Sequence, residues 1–112
     1  MCTKTEAYTI AQSVADYAKS RLGDELESVV LYGSFARGDF DEESDVDLLL
    51  CVQCPKEALA CVRADFIKLA SDLSLEYGVE VSLSLTDAAT FHRYKQDLPY
   101  YENVEREGIR IA

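Results

Sequence analysis

Asp45 and Asp47 are two carboxylates separated by one apolar residue at the start of the run Val46 to Val52. On a strand, residues two apart point to the same face, so both carboxylates stand side by side while Val46 turns toward the core. Like charges held that close repel unless a cation sits between them, and hard oxygen donors at this spacing suit Mg²⁺. Upstream, Gly33 and Ser34 follow the short apolar stretch Val29 to Tyr32 and offer backbone N–H groups, and the start of a helix, to a phosphate. Ten residues separate Ser34 from Asp45. Together the two features read as a site for a nucleoside triphosphate. Each has a plainer reading when taken alone: an exposed strand end for the aspartates, and an ordinary strand-to-helix turn for the glycine and serine.

The whole pattern, Gly33-Ser34, ten residues, then Asp45-x-Asp47, with Ala36-Arg37-Gly38 and Ser44 in place, resembles the signature of the polymerase β-type nucleotidyltransferase superfamily. The shortness of the chain points to the minimal nucleotidyltransferase branch. That resemblance implies that Asp45 and Asp47 hold Mg²⁺ and that Gly33, Ser34, Arg37 and Ser44 line the nucleotide, with ATP as substrate. Arg37 could instead pair with Asp39 or Asp41 as a structural salt bridge. The resemblance also implies a third carboxylate on a neighbouring strand, to complete the metal cage and take a proton from the attacking hydroxyl. Alignment puts that place near Ser82, with Glu80 one strand step earlier on the same polar face. Serine cannot act as a base. Either Glu80 substitutes as the third catalytic carboxylate, beside Asp45 and Asp47, or the site is impaired and Glu80 only faces solvent.

The elements that position these groups follow from periodicity. Ala7, Ala11, Val14, Ala18 and Leu22 mark one stripe of a helix over Thr5 to Leu22, stopped by Gly23. Glu27 to Tyr32 reads as a first strand, Ser34 opens a helical turn, and Asp45 to Val52 reads as a central strand covered on both faces. Pro55 opens a second long helix whose stripe runs Leu59, Val62, Phe66, Leu69, Ala70, Leu73 and Tyr77, ending at Gly78. Val79 to Leu85 alternates apolar and polar residues, the signature of a third strand. Asp87 caps a last helical region through Asp97, and the tail from Leu98 carries Tyr100 and Tyr101 before a short edge strand at Ile109 to Ile111. Residues 1–112 therefore read as a single α/β (α+β) domain, a mixed sheet of three or four strands flanked by helices.

The charge balance narrows the partners. With a net charge of −10, the 112-residue chain is ill-suited to hold nucleic acid directly, because phosphate contacts require clustered Lys and Arg. No uncharged apolar run is long enough for a membrane span, and the first residues carry no secretory signal, so a cytoplasmic location is expected. Cys2, Cys51, Cys54 and Cys61 are expected to be reduced, with Cys51 and Cys61 acting as small hydrophobes in a strand and a helix. A zinc site through Cys51-x-x-Cys54 would need two more ligands, and His92 reads as a surface helix residue. Tyr8, Tyr17, Tyr32 and Tyr77 fit core or half-buried positions.

A catalytic domain this small has no room for its acceptor. It would borrow one from another chain, or from a homodimer in the case of a small-molecule acceptor. Among minimal nucleotidyltransferases the resemblance is to the antitoxins that act beside HEPN-type ribonuclease toxins. It implies transfer of AMP to a tyrosine of a helical toxin, an assembly to which an acidic surface contributes. The rival implication is a degenerate binding module that neutralises its partner by contact alone.

Overall fold

The computed structural model describes residues 2–94, 99, 104 and 106–112. Helix α1 spans Lys4–Leu22 and opens on a reciprocal cap: the Glu6 amide donates to the Thr3 hydroxyl at 3.1 Å, and the Thr3 amide donates to the Glu6 carboxylate at 3.2 Å. Its buried residues, Ala7, Ile10, Ala11, Val14, Ala15 and Ala18, contain most of the expected stripe. Gly23 ends it at φ 57°, where a side chain would be strained. A single 3₁₀ turn then leads into strand β1, Leu26–Tyr32, followed by the one-turn helix α2, Ser34–Arg37.

Strand β2, Val46–Val52, begins one residue later than expected, so Asp45 sits just ahead of it. Helix α3, Lys56–Tyr77, starts after Pro55 and ends at Gly78 in the left-handed region. Strand β3 runs Val81–Asp87, two residues downstream of the expected Val79 to Leu85. The reason is pairing. β3 lies parallel to β2 from Val46↔Val81 to Val52↔Asp87, and the length of its partner draws Thr86 and Asp87 into the ladder. Helix α4, Ala88–Tyr94, follows directly; the Asp87 carboxylate accepts from the Thr90 amide at 2.9 Å, the capping role expected of it. The expected end of this helical region at Asp97, and Tyr100 and Tyr101, lie outside the described residues. Strand β4, Ile109–Arg110, pairs antiparallel with β1 at the sheet edge.

The sheet order is β3-β2-β1-β4, with β1 antiparallel to both neighbours and β2 parallel to β3 through the α3 crossover. Side chains of Val46, Leu48 and Leu50 join Val29, Leu31, Ile10, Val14, Phe35 and Phe66 in one buried cluster beneath α1 and α3. Tyr17 meets Phe66 edge to face at 5.3 Å between ring centroids, tying the two helices together. The alternate β2 residues, Leu49 and Cys51, point to the other face, against which α4 packs, and are buried as well. This is the doubly covered strand that the apolar run predicted. Tyr8, Tyr17, Tyr32 and Tyr77 are half-buried, as expected. All four cysteines are free. Cys51 is buried as expected, but Cys61 is exposed, because it falls on the solvent side of α3 rather than in the apolar stripe. Among the described residues no helix is long and apolar enough to cross a membrane.

Candidate active site

Backbone register builds the site. Tyr32, the last residue of β1, pairs with Asp47, so the turn that follows β1 passes directly over that carboxylate. Gly33 occupies the turn at φ 76°, and a Cβ there would stand 2.5 Å from Asp47 Oδ2. Only glycine permits both the backbone angle and the close approach. The Gly33 carbonyl accepts from the Ala36 and Arg37 amides, each at 3.1 Å, which starts α2. The first turn of any helix leaves amides without partners inside the helix, and Ser34 stands at that point. Phe35 is fully buried and stacks on Phe40 at 4.5 Å, so the turn is anchored from below.

The loop from Gly38 to Asp45 is shaped by Asp41 and Ser44. The Asp41 amide donates to the Ser44 hydroxyl at 2.9 Å, the Glu43 amide donates to the Asp41 carboxylate at 2.9 Å, and the Ser44 amide donates to the Asp41 carbonyl at 3.2 Å. Ser44 thereby fixes the chain where it delivers Asp45. Arg37 pairs with Asp39 at 3.3 Å and with Glu107 at 3.5 Å, so the salt-bridge alternative is present; its charge also acts on Asp47. Asp39, Asp41, Glu42 and Glu43 are exposed.

Asp45, Asp47 and Glu80 are neighbours at the β2 end of this arrangement. Asp47 lies beside Ser82 in the parallel ladder, and the Val46 amide donates to the Glu80 carbonyl at 2.9 Å, which places Glu80 next to the aspartate pair. Glu80 itself immediately precedes β3. The Asp47 carboxyl is pushed up to about 6, first by burial and then by the charges of Asp45 and Glu80, with Arg37 opposing. That mutual repulsion is what a divalent cation would relieve, and an all-oxygen donor set is what Mg²⁺ takes. The oxygen donors of Asp45 and Asp47 are of the type that Mg²⁺ takes. A cavity of about 420 Å³ opens beside them, lined by Glu42, Glu43, Ser44, Asp45 and Glu80 among others. Such a wall repels a bare phosphate and attracts cationic groups.

One cluster was missed by sequence reasoning. His92 is a half-exposed helix residue, as expected, but its Nε2 lies 2.7 Å from Glu27, whose other carboxylate oxygen accepts from the Cys51 thiol at 2.9 Å. No spacing rule links residues 27, 51 and 92, and in the sequence His92 has no second cysteine pair near it.

A glycine turn above Asp47, on a small mixed sheet with helices on both faces, is the arrangement expected of the nucleotidyltransferase class. The chain belongs to the nucleotidyltransferase domain family, which matches residues 12–110. It is 36% identical over 92 residues to MJ0141 of Methanocaldococcus jannaschii, provisionally named a protein adenylyltransferase; the match covers 80% of this chain and 83% of that protein. Among solved structures, a protein of Sulfolobus solfataricus assigned to the nucleotidyltransferases superposes with a TM-score of 0.61 at 21% identity, over 96% of this chain and 80% of the other. A toxin-antitoxin structure holding AMP-PNP superposes with a TM-score of 0.54 at 15% identity, over 90% of this chain and 72% of the other. The last two establish likeness of fold.

Proposed function

We propose that this protein is a Mg²⁺-dependent antitoxin that transfers AMP from ATP to a tyrosine hydroxyl of a helical HEPN-type ribonuclease toxin. The observation that carries the reading is Asp47 held directly under the Gly33 turn with Asp45 and Glu80 as charged neighbours, on a fold shared with a toxin-antitoxin structure solved with AMP-PNP. The name of the M. jannaschii relative supports the same chemistry.

In this reading Gly33 and Ser34 hold the β- and γ-phosphates through backbone amides and the serine hydroxyl. Asp45 and Asp47 would hold Mg²⁺, which when bound neutralises the triphosphate and the departing pyrophosphate. Arg37 and Ser44 border the nucleotide, Arg37 as a guanidinium suited to phosphate oxygens and Ser44 by fixing the Asp45 loop. The acceptor oxygen bonds to the α-phosphorus as the bond from that phosphorus to the bridging oxygen breaks. Pyrophosphate leaves, and the hydroxyl proton passes to the Glu80 carboxylate. The acidic cavity beside Glu80 receives a basic segment of the partner.

Ser82, directly beside Asp47, favours a second reading: a binding module that retains the fold and neutralises its partner without transfer. Incubation with α-labelled ATP, Mg²⁺ and the product of the neighbouring gene separates the two. Label moving to that protein, and lost in Asp45→Asn and Asp47→Asn, is the expected result. Tight binding without label, unchanged by those substitutions, would sink the enzymatic reading and leave the binding one. Glu80→Gln decides separately whether Glu80 takes part.

A further inference from the structure

At the opposite end of β2 from Asp47, four residues along the strand and so about 13 Å away, three side chains from three separate elements meet: Glu27 of β1, Cys51 of β2 and His92 of α4. One candidate ligand atom from each lies within 4.8 Å of the other two. The meeting depends on an irregularity in β1. Leu26 pairs with Val52 and Ser28 with Cys51, so the register shifts at Glu27. Such a bulge re-aims a side chain, and here it turns the Glu27 carboxylate onto the face that Cys51 already occupies. His92 reaches the same point because Asp87 caps α4 and fixes its direction over that face. The Arg110 guanidinium donates to the Glu27 carbonyl at 3.0 Å and pins the bulge from the β4 side.

We infer that Glu27, Cys51 and His92 form a binding site for Zn²⁺ or a similar borderline-soft transition metal, distinct from the Asp45 and Asp47 pair. A thiolate, an imidazole and a carboxylate make a mixed S, N, O set, which suits Zn²⁺ and is foreign to Mg²⁺. Ligand atoms on a tetrahedral zinc stand roughly 3.4–3.6 Å apart. The present contacts, 2.7 Å from His92 to one Glu27 oxygen and 2.9 Å from Cys51 to the other, would rearrange so that one carboxylate oxygen, the sulfur and the imidazole nitrogen share the ion. On binding, the Cys51 thiol proton leaves to solvent and the sulfur becomes the ligand. A cavity of about 250 Å³ lined by Glu27, Phe91, His92, Val104 and Arg110 among others adjoins the cluster and has room for a water as fourth ligand. The ion would clip α4 to the two central strands.

The test is titration of the full chain with Co²⁺ in excess Mg²⁺, followed by absorption spectroscopy, alongside thermal melting with and without Zn²⁺. The expected result is one ion per chain, a thiolate-to-cobalt charge-transfer band, and a raised melting temperature with Zn²⁺. Band and thermal shift should vanish in Cys51→Ser and in His92→Gln, and persist in Asp47→Asn and Cys61→Ser. His92 is half-exposed, so its variant keeps the test valid should Cys51→Ser fail to fold. No charge-transfer band in the wild type, or a band that survives His92→Gln or disappears with Cys61→Ser, would overturn the inference.

Discussion

Asp47 is held in a position that costs the metal-free protein stability, and the direction of that cost can be worked out from its proton. The folded carboxyl is raised from 3.8 to about 6, so the folded state binds this proton more tightly than the unfolded state. Below the lower value both states are protonated and the group contributes nothing; as pH rises between the two, the folded state loses stability, and above the higher value the loss is complete. At about 1.4 kcal/mol per pKa unit the deficit is on the order of 1–3 kcal/mol at neutral pH. Asp47→Asn should therefore melt higher than the wild type at neutral pH without metal and equally at acid pH, and Mg²⁺ should raise the wild type far more than the variant. Equal melting at both pH values would contradict the burial and like-charge repulsion that raise the Asp47 carboxyl. The neighbouring Gly33 makes a complementary case: Gly33→Ala puts a methyl group against Asp47 at a positive φ, which should cost about 1–3 kcal/mol in a urea titration and abolish retention of nucleotide. Both residues were legible from type and spacing, because a strand fixes which side chains share a face. Glu27, Cys51 and His92 were not, since a bulge and a helix packed across the sheet bring them together and neither leaves a mark at a fixed offset.

At the scale of elements, register decides what the site lacks. The two long helices and β2 were readable because their apolar stripes persist over many residues, and their ends carry Gly23, Pro55 and Gly78. β3 was displaced by two residues because pairing with β2, not its own alternation, sets its limits. The parallel ladder nevertheless puts Ser82 beside Asp47, at the place where the family resemblance implies an acid. Ser82→Asp should complete a three-carboxylate cage: tighter Mg²⁺ binding by calorimetry, faster label transfer, and lower stability in the absence of metal through added like-charge repulsion. A variant that binds Mg²⁺ no better than the wild type would show that the strand step to Glu80 already fills the role. The platform for these strands is the α1–α3 layer, where Phe66 is fully buried against Tyr17. Phe66→Ala should lose about 3–5 kcal/mol in denaturant unfolding, the usual result of emptying an aromatic site in a packed core.

Across the whole molecule the dominant feature is charge. A net −10, with Asp39, Asp41, Glu42 and Glu43 exposed in the loop before Asp45, surrounds the candidate site with negative potential. Such a surface works against a lone triphosphate but steers a basic protein, and steering acts on the rate of encounter more than on the final complex. Salt shortens the reach of these charges to about 8 Å near physiological ionic strength, so association should slow as salt is raised while dissociation changes little. Replacing Glu42 and Glu43 together by Lys should lower the association rate of the proposed toxin partner by about tenfold at low salt and leave folding stability within roughly 0.5 kcal/mol, since both side chains are solvated. Stopped-flow association measured across a salt series reads the effect directly. An association rate indifferent both to salt and to the double substitution would mean that the acidic face serves solubility alone, and the partner would then have to be recognised through the half-buried and apolar surfaces of the chain.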